Sequence, residues 1–121
     1  MQVYIAGPLS ADTREKMLTN VEQAVLVGNK VRKLGHQPYV PHLMFFADEI
    51  LQRDGCNIAW YDWVREDLYW LETCDALLMQ GDWRESKGSW VEYVVAKHIG
   101  LTVFESFDDF ECWCKACNQT N

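Results

Sequence analysis

The apolar run Val3-Tyr4-Ile5-Ala6, stopped by Gly7-Pro8, constrains this chain more than any other segment. A short β-rich run closed by Gly-Pro reads as a buried strand turning into a loop. Downstream, Asp12 and Glu15 form a capping pair for a helix in which Met17, Val21, Ala24, Val25, Val31 and Leu34 recur at helical spacing, with Gly35 as its stop. Gln37 to Val40 follows as a second strand, closed by Pro41. Strand, helix, glycine and strand within about forty residues form the right-handed crossover unit of a parallel sheet.

The rest of the chain extends that unit. His42 to Gln52 predicts a short helix and Arg53 to Asn57 a loop. From Ile58 to Glu72 one helix carries two stripes: Trp60, Val64, Leu68 and Leu71, and Trp60, Trp63, Asp67 and Trp70. Two stripes predict a helix covered on more than one side. Asp75 to Met79 is a third strand, Gln80 to Lys87 a polar loop, and Gly88 to Ile99 a helix stopped by Gly100, with Val91, Val94, Val95 and Ile99 expected toward the core. Leu101 to Phe104 makes a fourth strand, and the 105–121 tail predicts a last short helix. The alternation predicts an α/β fold with an open parallel sheet of four to five strands, flavodoxin/Rossmann-like, and helices on both faces. With 121 residues it is a single domain, because a second core would leave each half too small to fold unaided.

Charge narrows the function classes. Eleven Lys and Arg stand against eighteen Asp and Glu, a net charge of −7, which argues against gripping a nucleic-acid polymer. One nucleotide needs only a few local donors and stays open. No stretch approaches the eighteen or so apolar residues of a membrane span, and the opening residues lack the basic flank of a signal peptide. Together with an odd number of cysteines, five, this predicts a cytoplasmic protein with reduced thiols. Cys112, Cys114 and Cys117 have the spacing of half a zinc site, yet no second C-x-x-C or H-x-x-x-H completes it, so no metal or cofactor is expected.

In open sheets of this kind ligands bind beyond the carboxyl ends of the strands. Two loops are expected there, Gly7-Pro8-Leu9-Ser10 and Ser86-Lys87-Gly88-Ser89. Gly88 leaves room for an anion to approach backbone amides, and Ser86 and Ser89 add hydroxyl donors, a combination that suits one phosphate. Glu92 lies four residues beyond Gly88, ~5.4 Å along the same helix face. That step is comparable to the reach of a sugar ring from its 5′-phosphate to its anomeric carbon. A carboxylate in a first helical turn is held ionised by the helix dipole, which suits a nucleophile. The same position also suits a plain dipole partner, and Asp67 reads equally as an ordinary surface acid. His36 and His42 read as polar loop residues.

The blocks Tyr4-Ile5-Ala6-Gly7-Pro8, Asn20 and Ala24, Gly35-His36 with Pro38 and Pro41, Cys74-Asp75-Ala76-Leu77, and Trp83-x-x-Ser86-x-Gly88-x-x-x-Glu92 with Ala96 and Gly100 occur here in one order. In that order the chain, nearly as far as Phe104, resembles the nucleoside 2-deoxyribosyltransferase-like superfamily. It looks closest to the small bacterial and phage members and is similar to the deoxynucleoside 5′-monophosphate N-glycosidases. Where those glycosidases have a Gly-Ser-Ile-Arg-Gly-Gly style first loop, this chain has Gly7-Pro8-Leu9-Ser10-Ala11-Asp12, and Pro8 removes one amide donor.

The resemblance implies cleavage or transfer of an N-glycosidic bond in a nucleoside or nucleoside 5′-monophosphate through a covalent sugar ester on Glu92. Tyr4 would orient that carboxylate and Asp67 would contact or protonate the departing base. Ser86 and Gly88, with Gly7 and with Ser10 or Arg14 from the first loop, would take the phosphate, and Ser89 would add a hydroxyl. Trp83 is the expected stacking partner for the base, and Phe45 to Trp63 the expected base-pocket segment. Trp63 and Trp70 beside Asp67 predict a raised pKa that keeps it protonated. A homo-oligomer is expected from the family and from the sixteen aromatic residues of so short a chain. The competing reading is a nucleotide-binding protein without catalysis, using the same loop.

Overall fold

The computed structural model describes residues 1–119; the last two residues of the 105–121 tail lie outside the described residues. Its elements run β1 (Gln2–Ala6), α1 (Arg14–Lys33), β2 (Gln37–Tyr39), α2 (Met44–Arg53), α3 (Trp60–Glu72), β3 (Ala76–Met79), α4 (Lys87–Ile99), β4 (Thr102–Phe104) and α5 (Phe107–Gln119). Single 3-10 turns, Pro41–Leu43 and Trp83–Glu85, lead into α2 and α4. The four strands form one all-parallel sheet in the order β2-β1-β3-β4, with Val3 opposite Pro38 and Ala76, and Ala76 opposite Thr102. This is the open α/β arrangement of a Rossmann-like fold.

Strand alternation builds the layers. Val3 and Ile5 of β1 and Ala76 and Leu78 of β3 pack with Ala24 and Val31 of α1 and Phe110 and Cys114 of α5. Tyr4, Ala6, Leu77 and Met79 point the other way, onto Leu71 of α3 and Ala96 of α4. Both faces of the central strands are therefore covered, which is why their sequences are apolar without interruption.

Three expectations need correction. Thr13, not Asp12, caps α1 by accepting from the Lys16 amide at 3.1 Å, and Asp12 pairs instead with the Lys16 ammonium at 2.9 Å. Helix α3 buries Leu71 fully, whereas Tyr61, Tyr69 and Trp70 are exposed, so within this chain only one side is covered. On α4 the buried stripe is Ser89, Glu92 and Ala96, while Val94 and Ile99 face outward. Val95 packs against the core from the edge of that face and Val91 is half-buried, so the expected period holds for two of its four residues.

Gly7 sits where β1 leaves the sheet and touches the end of β3. Its φ is +155°, and a Cβ there would collide with the Gln80 side-chain amide and stand 2.7 Å from the Gln80 carbonyl oxygen. Gly7→Ala is expected to lower unfolding free energy by about 2 kcal/mol or more, because a backbone neighbour cannot yield as a side chain can. Urea titration followed by tryptophan fluorescence measures this; an unchanged midpoint would show that the two loops need no such approach.

Candidate active site at the sheet switch point

Strand β1 connects outward to β2, and the chain then crosses back to β3 on the opposite side of β1. The loops after β1 and β3 thus leave in different directions and open a crevice between them. A cleft of about 730 Å³ occupies that position. Its walls come from the first loop (Gly7 to Ala11), α1 (Lys16, Thr19, Asn20), the second loop with the start of α4 (Asp82, Glu85 to Ser89, Glu92), and α3 (Trp60, Trp63, Val64, Asp67). Pro41, His42 and Met44 close the side toward β2.

Local bonds fix these walls. Asn20 donates its side-chain amide to the Leu9 carbonyl at 3.1 Å, tying the first loop to α1. Ser86 caps α4 by accepting from the Ser89 amide at 3.3 Å. Trp63 donates its indole N–H to Asp48 of α2 at 3.0 Å, which sets the ring against the cleft.

Glu92 is only 9% exposed at the cleft floor. Since α4 begins at Lys87, Glu92 stands in the second turn, beyond the reach of the helix dipole expected to keep it ionised. Burial dominates and pushes its carboxyl up to about 8, with the neighbouring Tyr4 hydroxyl opposing the rise and Asp67 adding to it. Asp67 is raised to about 7, first by burial and then by Glu66, in the direction its tryptophan neighbours predict. Tyr4 is completely buried directly beneath, and burial followed by the charges of Glu92 and Asp67 holds its phenol well above 10. Its hydroxyl has no hydrogen-bond partner of good geometry, although the Glu92 carboxyl is close enough for each group to shift the other. The two are adjacent but not aligned.

His42, taken from the sequence as a loop residue, is buried against the first loop with Nε2 3.0 Å from the Gly7 carbonyl. The carbonyl can only accept, so Nε2 carries the proton and donates. Burial lowers the imidazole to about 4 and keeps it neutral, against the small opposite pull of the Gly7 and Pro8 carbonyls. Nothing in the local sequence marked His42 for the cleft; only the crossover from β2 brings it there.

Of the residues expected at the site, Gly7, Ser10, Asp67, Ser86, Gly88, Ser89 and Glu92 line the cleft and Tyr4 lies under it. Arg14 and Trp83 do not line it. The Arg14 guanidinium is held by Glu49 of α2 at 2.5 and 3.0 Å and packs over the Phe45 ring. Trp83 is a core residue, 3% exposed and stacked on Tyr93. The aromatic walls are Trp60 and Trp63 instead, members with Asp67 of one α3 stripe. Phe45 is the buried residue of α2.

Among the described residues no group of three or more His, Cys, Asp and Glu side chains is placed to hold a metal, and no helix is long and apolar enough to cross a membrane. The tail thiol of Cys114 is buried 3.6 Å from His36 Nε2, away from the cleft.

A family described as a domain of unknown function, DUF4406, matches residues 1–105. The chain belongs to the DUF4406 family. No curated protein and no solved structure matches it. The DUF4406 match takes in the four strands, α1 to α4 and every residue of the cleft, and ends just before α5.

Proposed function

We propose that this protein cleaves or transfers the N-glycosidic bond of a nucleoside or nucleoside 5′-monophosphate, with Glu92 as nucleophile. The observation that carries this reading is the placement of two carboxyls with raised proton affinity, Glu92 and Asp67, against one buried tyrosine at the floor of an aromatic-walled cleft. The sequence resemblance to the nucleoside 2-deoxyribosyltransferase-like superfamily assigns the same three residues. A Glu92 carboxylate oxygen bonds to the anomeric carbon as the C–N bond breaks, and the electron pair goes to the base nitrogen. Asp67 supplies the proton the departing base needs, a division of labour between two carboxyls that glycoside chemistry requires. Water then resolves the sugar ester in a hydrolase, or a second base does so in a transferase.

The proton count sets the pH profile. With Glu92 near 8 and Asp67 near 7, the pair holds one proton between those values; it rests mainly on Glu92, and the working form is the less populated arrangement with the proton on Asp67. Below about 7 both carboxyls are protonated and the nucleophile is lost; above about 8 both are ionised and the acid is lost. A bell-shaped kcat/KM with its maximum between these limits is expected, and Asp67→Asn should remove its alkaline limb. A profile flat from pH 5 to 9 would exclude the pair.

Base release is tested by incubating the protein with mixed ribo- and deoxyribonucleosides and their monophosphates and separating free bases by chromatography. A second reading, a nucleotide-binding protein without catalysis, draws on the protonated state that burial gives Glu92 near neutral pH, in which it serves as a hydrogen-bond donor. Tight binding with no free base over many hours would favour it. The exposed aromatic side chains of α3 and α4, Tyr61, Tyr69, Trp70 and Trp90, support a homo-oligomer, and a light-scattering mass equal to one chain would remove that part.

A further inference from the structure

Resting on the glycosidic reading, the geometry points to a substrate uncharged at its 5′ end: Asp82 and Glu85 select a neutral nucleoside and disfavour its 5′-monophosphate. Proteins hold a phosphate dianion with convergent N–H donors backed by fixed positive charge, an arginine fork above all. Two lysines, Lys16 and Lys87, line this cleft, each beside a partner in or next to its wall, and the nearby arginines stand outside it. Arg14 is bidentate on Glu49 at 2.5 and 3.0 Å. Lys16 has its ammonium 2.9 Å from Asp12. The Arg84 guanidinium lies over the Trp83 ring, 4.3 Å from its centroid, and the Lys87 ammonium lies 5.1 Å from the Trp60 centroid. Among the described residues no arginine lines the cleft.

Facing the same space are two carboxyl side chains that the bond-breaking step does not use. Asp82 and Glu85 line the cleft from the loop that runs directly into the Ser86 cap of α4. A dianion seated on Ser86 to Ser89 would sit in the field of both, and Pro8 across the cleft has no N–H to offset them. A hydroxyl reverses the balance, because it donates to a carboxylate and accepts from a hydroxyl. The acceptor side is already provided for: Ser89 Oγ is buried, its residue only 1% exposed, lines the cleft and has no partner. Such an orphaned polar atom is costly unless a ligand group meets it. The loop that resembles a phosphate cradle in sequence is thus, in charge, a hydroxyl site.

The test compares kcat/KM for deoxynucleosides and their matched 5′-monophosphates, alongside calorimetric binding of both to Glu92→Gln protein. The nucleoside is expected to lead by about tenfold or more, since like charges at a recognition site cost at least that factor. In the double variant Asp82→Asn, Glu85→Gln the ratio should shrink by about tenfold, and by more at low salt than at high salt. A monophosphate preference in the unmodified protein, or a ratio the double variant leaves unchanged, overturns the inference. Absence of base release from every substrate would overturn the glycosidic reading instead, and the calorimetric preference would still decide the charge selection.

Discussion

Glu92→Gln is expected to abolish base release, by about 10³-fold or more, while leaving the fold intact. Loss of a covalent nucleophile has effects of this order because no neighbouring group replaces it. Glutamine is the informative substitution because the native carboxyl is buried and raised to about 8, so at pH 7 the amide replaces a group that is already mostly uncharged. The stability consequence has a definite sign. The folded value of about 8 lies above the ordinary 4.5, so the folded protein binds the extra proton. That contribution is fully present below about 4.5 and is lost as pH rises through about 8. Thermal denaturation should therefore show the unmodified protein losing stability across that interval, while the glutamine variant changes less and becomes the more stable of the two above pH 8. Retained base release in the variant would refute the nucleophile, and parallel pH–stability curves would refute the buried carboxyl. The two results are independent.

Trp83→Ala should unfold the protein by about 3–5 kcal/mol, the cost of emptying a large aromatic site in a packed core. Trp83 is 3% exposed and stacks on Tyr93 with ring centroids 5.2 Å apart, while Trp90 lies 5.1 Å away and Arg84 covers the ring from outside. This cluster fixes the 3-10 turn that delivers Ser86 to the cap of α4, so its loss also loosens the second loop. The pocket tryptophans behave differently. Trp60→Ala removes a cleft wall that is exposed without ligand, so it should raise KM with a midpoint close to that of the unmodified protein. Urea unfolding and initial rates on the two variants separate the roles. A stable Trp83→Ala protein with only a raised KM would return Trp83 to the site.

Much of the fold was legible in the sequence because its signals are local. Val3 to Ala6 and Ala76 to Met79 are apolar without alternation, as strands covered on both faces must be, and Gly35 and Gly100 end α1 and α4 with positive φ. Gly7 was legible as punctuation, and the contact with Gln80 explains why only glycine fits. The site was legible in part. Ser86, Gly88 and Glu92 lie on one continuous segment, so their spacing already carried them to one place. Arg14 and Trp83 were misplaced because residue type named a role while the partner that claimed each side chain, Glu49 or Tyr93, came from a distant element.

The sequence by itself determined the α/β class, the crossover unit, the two loops at the carboxyl edge and the phase that puts Gly88 and Glu92 on one helical face. These follow from backbone periods and turn chemistry within a few residues. Tertiary structure alone decided which face of α4 is buried, that burial raises the Glu92 carboxyl to about 8 where a helix dipole would lower it, that His42 joins the cleft, and that Arg14 and Trp83 do not. Burial and charge are properties of what surrounds a group, and here those surroundings come from segments up to about 90 residues apart, such as Tyr4 and Glu92. Local sequence fixes which groups are available; packing fixes their proton affinity and their partners, and with these the chemistry they can perform.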